Sequence, residues 1–75
     1  MNEIPNEFWS LGLESMCVNN ATGRQPYNLQ ESINAVLPVG WLFVHHTIKE
    51  RDSFGPVTSV LALIGPDGLI YKSLI

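Results

Sequence analysis

The second half of the chain contains three runs rich in β-branched and aromatic residues, separated by two turn signals. The runs cover residues 41–49, 57–64 and 69–74. Residues 65–68 (GPDG) are typical of a type I turn followed by a glycine bulge, because Pro66 presets φ and Gly68 accepts a positive φ. The connection over residues 50–56 is longer and charged, and its last residue, Pro56, suits a strand start because proline donates no hydrogen bond. This pattern predicts a three-stranded antiparallel β-meander.

Both faces of the predicted sheet carry apolar side chains. Successive side chains of a strand point to opposite faces. Strict alternation therefore places four side chains on one face of the first strand: Trp41, Phe43, His45 and Thr47. When the other two strands are divided between the two faces in the same way, both faces of each strand contain apolar side chains. A sheet with one solvated face normally alternates apolar and polar positions. We expect both faces to need cover, and an uncharged face stays exposed if the helices pack together on one side.

Two helices are predicted before the sheet. Apolar spacing favours a helix over residues 5–18, although Gly12 inside it costs about 1 kcal/mol relative to alanine. A strand over residues 11–18 is the alternative. The second helix, over residues 29–37, follows Asn28, whose side chain suits a helix cap, and stops before a proline. The whole chain is thus predicted to be a single small α+β domain, with two N-terminal helices packed on the meander.

Composition and charge restrict the classes of function. The chain has 75 residues, a net charge of −3 and 15% charged residues. This charged fraction is low for a small domain whose whole surface is exposed to water. It therefore favours the presence of an interface that covers part of the surface. The basic residues are scattered, so we expect no nucleic-acid partner. We expect neither a signal peptide nor a membrane span, and the lone Cys17 excludes an internal disulfide. We therefore expect a soluble cytoplasmic protein without a membrane partner.

No residue pattern indicates catalysis, a metal or a cofactor. Alternation points the adjacent His45 and His46 to opposite faces, so the pair does not readily share one metal ion. Cys17 has apolar neighbours in the sequence, which is typical of a buried small hydrophobe rather than of a nucleophile. We therefore expect a non-enzymatic protein without a cofactor.

Aromatic residues on the strands suggest a partner surface. Tryptophan and tyrosine are enriched at interface hot spots, and exposed uncharged sheet faces and edges attract other chains. The candidate partner-binding residues are Trp41, Phe43, His45, Tyr71 and Ser73. We expect a protein-interaction module that forms a homodimer or binds a larger protein. An accessory or inhibitor protein of a mobile element is one such module, by analogy of size and character alone. A small-ligand-binding module with a pocket between helix and sheet is the alternative.

Overall fold

Two helices precede a three-stranded antiparallel sheet, as the sequence predicts. The computed structural model describes residues 2–21, 23, 28–50 and 58–75. The elements are α1 (Leu13–Ala21), α2 (Leu29–Val36), β1 (Leu42–Glu50), β2 (Thr58–Ile64) and β3 (Ile70–Leu74). The strands lie in the order β1-β2-β3. Most of the predicted loop over residues 19–27 and of the connection over residues 50–56, together with residue 57, lies outside the described residues.

The predicted helix over residues 5–18 is divided at Gly12. A 3-10 helix, Asn6–Leu11, ends there because Gly12 adopts the left-handed conformation with a φ of 88°, which a residue without Cβ takes easily. The α-helix α1 then begins at Leu13. The strand alternative for residues 11–18 is therefore wrong. Both helical segments bury apolar residues in the same core.

Asn28 caps α2, as predicted. Its Oδ1 accepts hydrogen bonds from the backbone N–H groups of Gln30 (2.8 Å) and Glu31 (3.4 Å). These are two of the donors that the start of a helix leaves without an intrahelical partner. The helix ends one residue before Leu37, which is extended with a ψ of 146° because a following proline disfavours helical geometry.

The core lies between the sheet and the helices. It joins Leu61 and Leu63 of β2 to apolar residues of the N-terminal segment, α1 and α2. Its buried members are Ile4, Phe8, Leu13, Cys17, Leu29, Ile33, Leu61 and Leu63. Because side chains alternate along β2, Val60, Ala62 and Ile64 point to the opposite face, which no described helix covers. No helix in the described part of the chain is long and apolar enough to cross a membrane.

Candidate interaction surface

A β-bulge in β1 decides which of its side chains reach each face of the sheet. Phe43 and His45 pair with two consecutive residues of β2, so Val44 between them is an extra residue. The bulge therefore puts Phe43 and His46 on the helix side and His45 on the opposite side. The strict alternation predicted for β1, which grouped Phe43 with His45, is wrong because it contained no extra residue.

We call the face turned away from the helices the open face and define it by the rows in which all three strands pair. From β1 to β3 the rows are Leu42, Ile64 and Ile70; His45, Ala62 and Lys72; and Thr47, Val60 and Leu74. Six of these nine residues are apolar, and Lys72 is the only one with a permanent charge. Leu42 is 56% exposed and Leu74 is 66% exposed. The open face is therefore much more apolar than a solvated sheet face.

The centre of the open face is covered by its own longer side chains. Ala62 is fully buried although it does not belong to the helix-side core, and its neighbours across the sheet are the longer His45 and Lys72. Side chains of all three strands line one broad depression of about 910 Å³, among them His45, Thr47, Val60, Lys72 and Leu74. Other parts of this depression reach the N-terminal segment and α1, where Glu3 and Glu14 line it.

The predicted aromatic residues pack on the helix side. Trp41, Phe43 and Tyr71 are partly buried against the core. The ring of Trp41 lies 4.8 Å from that of Phe8, edge to face, and 4.7 Å from that of Tyr71, between centroids. Of the five candidate partner-binding residues, only His45 lies on the open face. Partner binding by the aromatic residues stays a prediction, and the surface described above is formed mainly by their aliphatic neighbours.

The N-terminal segment lies along the outer edge of β3. Asn2 forms a parallel bridge with Tyr71, and its carbonyl oxygen accepts a 2.9 Å hydrogen bond from the N–H of Lys72. The candidate residue Ser73 also takes part, because its Oγ accepts a 3.0 Å hydrogen bond from the N–H of Ile4. Part of the edge that the sequence left exposed is thus occupied by the chain itself. Residues 2–4 carry no strand signal from which this pairing could be found.

The outer edge of β1 is protected in a different way. Oδ1 of Asn34, on α2, accepts a 2.8 Å hydrogen bond from the N–H of Phe43. The bulge at Val44 and a second register shift after Ile48 interrupt the regular ladder, and Lys49 adds a charge. Bulges and edge lysines discourage pairing with a strand of another chain.

His46 and Cys17 are titratable side chains on the helix side. Nδ1 of His46 accepts a 3.0 Å hydrogen bond from Nδ2 of Asn20, and burial together with the neighbouring His45 lowers the pKa of His46. Cys17 is fully buried, and burial raises its pKa to about 12, so the thiol stays protonated and unreactive near neutral pH. Among the described residues, no group of three or more His, Cys, Asp and Glu could hold a metal ion.

The fold and the open face define the chain as a small two-layer α+β protein with one sheet face uncovered by any described element. Comparisons with protein-family models, with curated proteins and with solved structures find no match to this chain. The function is therefore inferred from the geometry and chemistry of the open face.

Proposed function

We propose that this protein is a non-enzymatic interaction module that binds another protein through the open face of its sheet. The observation that supports the proposal is an apolar three-row face on which no described element packs, with Leu42, Ile70 and Leu74 among its exposed members. Exposed apolar patches on small proteins mark interaction sites. Full burial of one such side chain contributes about 1.5–3 kcal/mol, so a partner that covers several of them gains substantial affinity.

The face is a better candidate than either edge of the sheet. Asn2 and Ile4 occupy part of the outer edge of β3, and Asn34 with the bulge protects β1. The proposed partner is a larger protein or a second copy of the chain. The proposal includes the cytoplasmic location that the sequence predicts. An accessory or inhibitor role for a mobile element is compatible with it by analogy of size alone.

Small-ligand binding is the second candidate, and the depression of about 910 Å³ favours it. This volume lies within the range of about 300–1,000 Å³ that is typical of ligand pockets. Such pockets enclose most of the ligand, whereas this depression is broad, lies partly on the sheet and partly on the N-terminal segment and α1, and is not lined by Trp41, Phe43 or Tyr71. A protein partner, which can cover a broad shallow surface, fits the geometry better.

The test of the proposal compares the mass of the protein in solution with that of two variants. Leu74→Asp puts a charge on the open face, and Val39→Asp puts the same charge on a residue outside the sheet that is 101% exposed. If a second copy binds the open face, wild type and Val39→Asp form dimers in light scattering at high concentration, whereas Leu74→Asp stays monomeric. Far-UV circular dichroism checks that Leu74→Asp is folded.

A monomeric wild type at every concentration removes self-association and leaves a different protein as the partner. That case is tested with the peptides described in the next subsection. The proposal is contradicted if the wild type is monomeric and binds none of those peptides through the open face.

A further inference from the structure

We propose that the open face binds an amphipathic α-helix of another protein, with a carboxylate near the middle of the apolar stripe of that helix. This inference rests on the proposed function and names the chemistry of the partner. Three features of the open face support it: its dimensions, the position of its basic groups, and the poor fit of a second copy.

The open face has the dimensions of one helix packed on a sheet. Its three strands span a width of about 14 Å, and a helix with its side chains is about 10–12 Å across. The seven residues of β2 span about 23 Å, a length that about 15 helical residues match at 1.5 Å each.

The basic groups of the open face stand in its middle row, on opposite sides of Ala62. His45 is on β1 and Lys72 is on β3. None of the nine open-face residues is an acid, and Lys72 forms no ion pair with any described residue. The rows on either side carry no charge. An apolar helix with one carboxylate at its centre therefore matches the face in both hydrophobicity and charge.

A second copy of the open face matches less well. The twofold axis of a face-to-face dimer lies between the two sheets and, in a register centred on Ala62, runs either along the strands or across them. In the first case His45 faces Lys72 of the second copy, and in the second case the two copies of Lys72 face each other. Each arrangement brings basic groups together, which disfavours association. A partner strand also finds no free backbone groups on a sheet face, which leaves a helix as the element that fits.

Three labelled peptides of about 18 residues test this inference. They share an alanine-rich helical sequence with a leucine stripe and differ only at the central stripe position, which is Glu, Gln or Lys. Fluorescence anisotropy measures their binding to the full chain. Because three strands give a face only about 14 Å wide, we expect micromolar affinity, as for small transient interfaces. The Glu peptide should bind at least about tenfold more tightly than the Lys peptide, a difference of about 1.4 kcal/mol.

Charge reversal on the protein makes the test specific. In Lys72→Glu the preference should invert, so that the Lys peptide binds more tightly than the Glu peptide. Lys72→Gln should bring the two affinities close together, and it serves if Lys72→Glu fails to fold. Gln30→Glu adds a negative charge on α2, on the other side of the sheet, and should leave the preference for the Glu peptide in place. Leu74→Asp should weaken the binding of every peptide.

The possible outcomes separate this inference from the proposed function. Equal binding of the Glu and Lys peptides, or no binding of any peptide at about 1 mM, which corresponds to about −4 kcal/mol, overturns the acidic-helix partner. If the wild type then forms a dimer that Leu74→Asp dissociates, the proposed function stands and a second copy is the occupant. If neither peptides nor a second copy bind through the open face, both proposals fail.

Discussion

The hydroxyl group of Tyr71 donates a 2.7 Å hydrogen bond to Oδ2 of Asp67, across the turn that joins β2 to β3. The other oxygen of this carboxylate, Oδ1, accepts a 3.1 Å hydrogen bond from the N–H of Leu69. Asp67 thereby links the turn to a ring that packs against Trp41. The hydrogen bonds that the Asp67 carboxylate accepts from Tyr71 and from Leu69 hold the pKa of Asp67 below its usual value, and the carboxylate raises the pKa of Tyr71.

The first prediction is that Asp67→Asn lowers the pKa of Tyr71 toward the ordinary value of a tyrosine, which is about 10. A carboxylate that accepts a hydrogen bond from the phenol stabilises the neutral phenol and repels the phenolate. The amide of asparagine carries no charge, so it favours the neutral phenol less. Tyrosinate absorbance during an alkaline titration measures the pKa. The only other tyrosine is Tyr27, so a Tyr27→Phe background reports Tyr71 alone. A Tyr71 titration that Asp67→Asn leaves unchanged would count against the hydrogen bond.

The second prediction is that Gly65→Ala destabilises the β2–β3 hairpin. A Cβ at this position would lie 2.8 Å from Cε1 of Tyr71 and 2.9 Å from Oδ1 of Asp67. Overpacking of this kind lowers the free energy of unfolding by about 1–3 kcal/mol. Urea unfolding followed by circular dichroism measures the loss.

Gly68→Asn is the control for this turn. Gly68 has a φ of +81° and open space around its Cβ position, and asparagine tolerates the left-handed conformation better than most residues. We expect its loss of stability to be smaller than that of Gly65→Ala. Equal losses would count against overpacking at Gly65, because a Cβ there would then cost no more than a left-handed asparagine with open space around it.

Local chemistry explains why much of the fold could be predicted. The turn after β2 needs a residue that accepts positive φ, and Gly68 provides it while its N–H donates a 2.9 Å hydrogen bond to the carbonyl of Gly65. The start of α2 needs an acceptor for free N–H groups, and Asn28 provides it. Each requirement is met within a few residues of sequence, so the order and approximate bounds of the elements follow from the sequence.

Non-local pairing explains why the surface could be predicted only in part. Within β2, alternation correctly placed Val60 and Ala62 on the same face. Within β3, it correctly placed Lys72 on the same face as Leu74. It failed in β1 because the extra residue, Val44, is defined by which β2 residues its neighbours pair with. The pairing of Asn2 with β3 is also a contact between the two ends of the chain, and no local pattern indicates it.

The third prediction is that Cys17 is unreactive toward a thiol reagent in the folded protein and reacts when the chain unfolds. Its side chain is fully buried, and burial raises its pKa to about 12. The reactive thiolate is therefore scarce near neutral pH, and the reagent has no access to it. The rate of reaction with an aromatic disulfide, followed across a urea titration, should increase along with the loss of circular dichroism signal. Rapid complete labelling in the absence of urea would contradict the packing of α1 on β2.

The fourth prediction is that stability falls as the pH falls below the ordinary pKa of histidine, because of His46. Its Nδ1 accepts a hydrogen bond from Nδ2 of Asn20, and its buried Nε2 has no hydrogen-bond partner in the described part of the chain. Burial, and then the neighbouring His45, lower the pKa of His46 in the folded protein. The unfolded chain, with a histidine pKa of about 6.5, therefore binds the proton more readily. The stabilisation is present above about pH 6.5 and is lost as the pH falls through the lower folded pKa.

Urea unfolding at several pH values between about 7.5 and 5 measures this dependence. His46→Gln removes the titrating group and should flatten the dependence over this window, although carboxylates still contribute at its acidic end. His45→Gln removes an exposed histidine from the open face instead, so it should retain most of the slope. If the two variants lose the same part of the pH dependence, the burial of His46 against α1 is not its cause. If His46→Gln alone loses it, the bulge in β1 has placed the two adjacent histidines in different environments, one packed on α1 and one exposed on the open face.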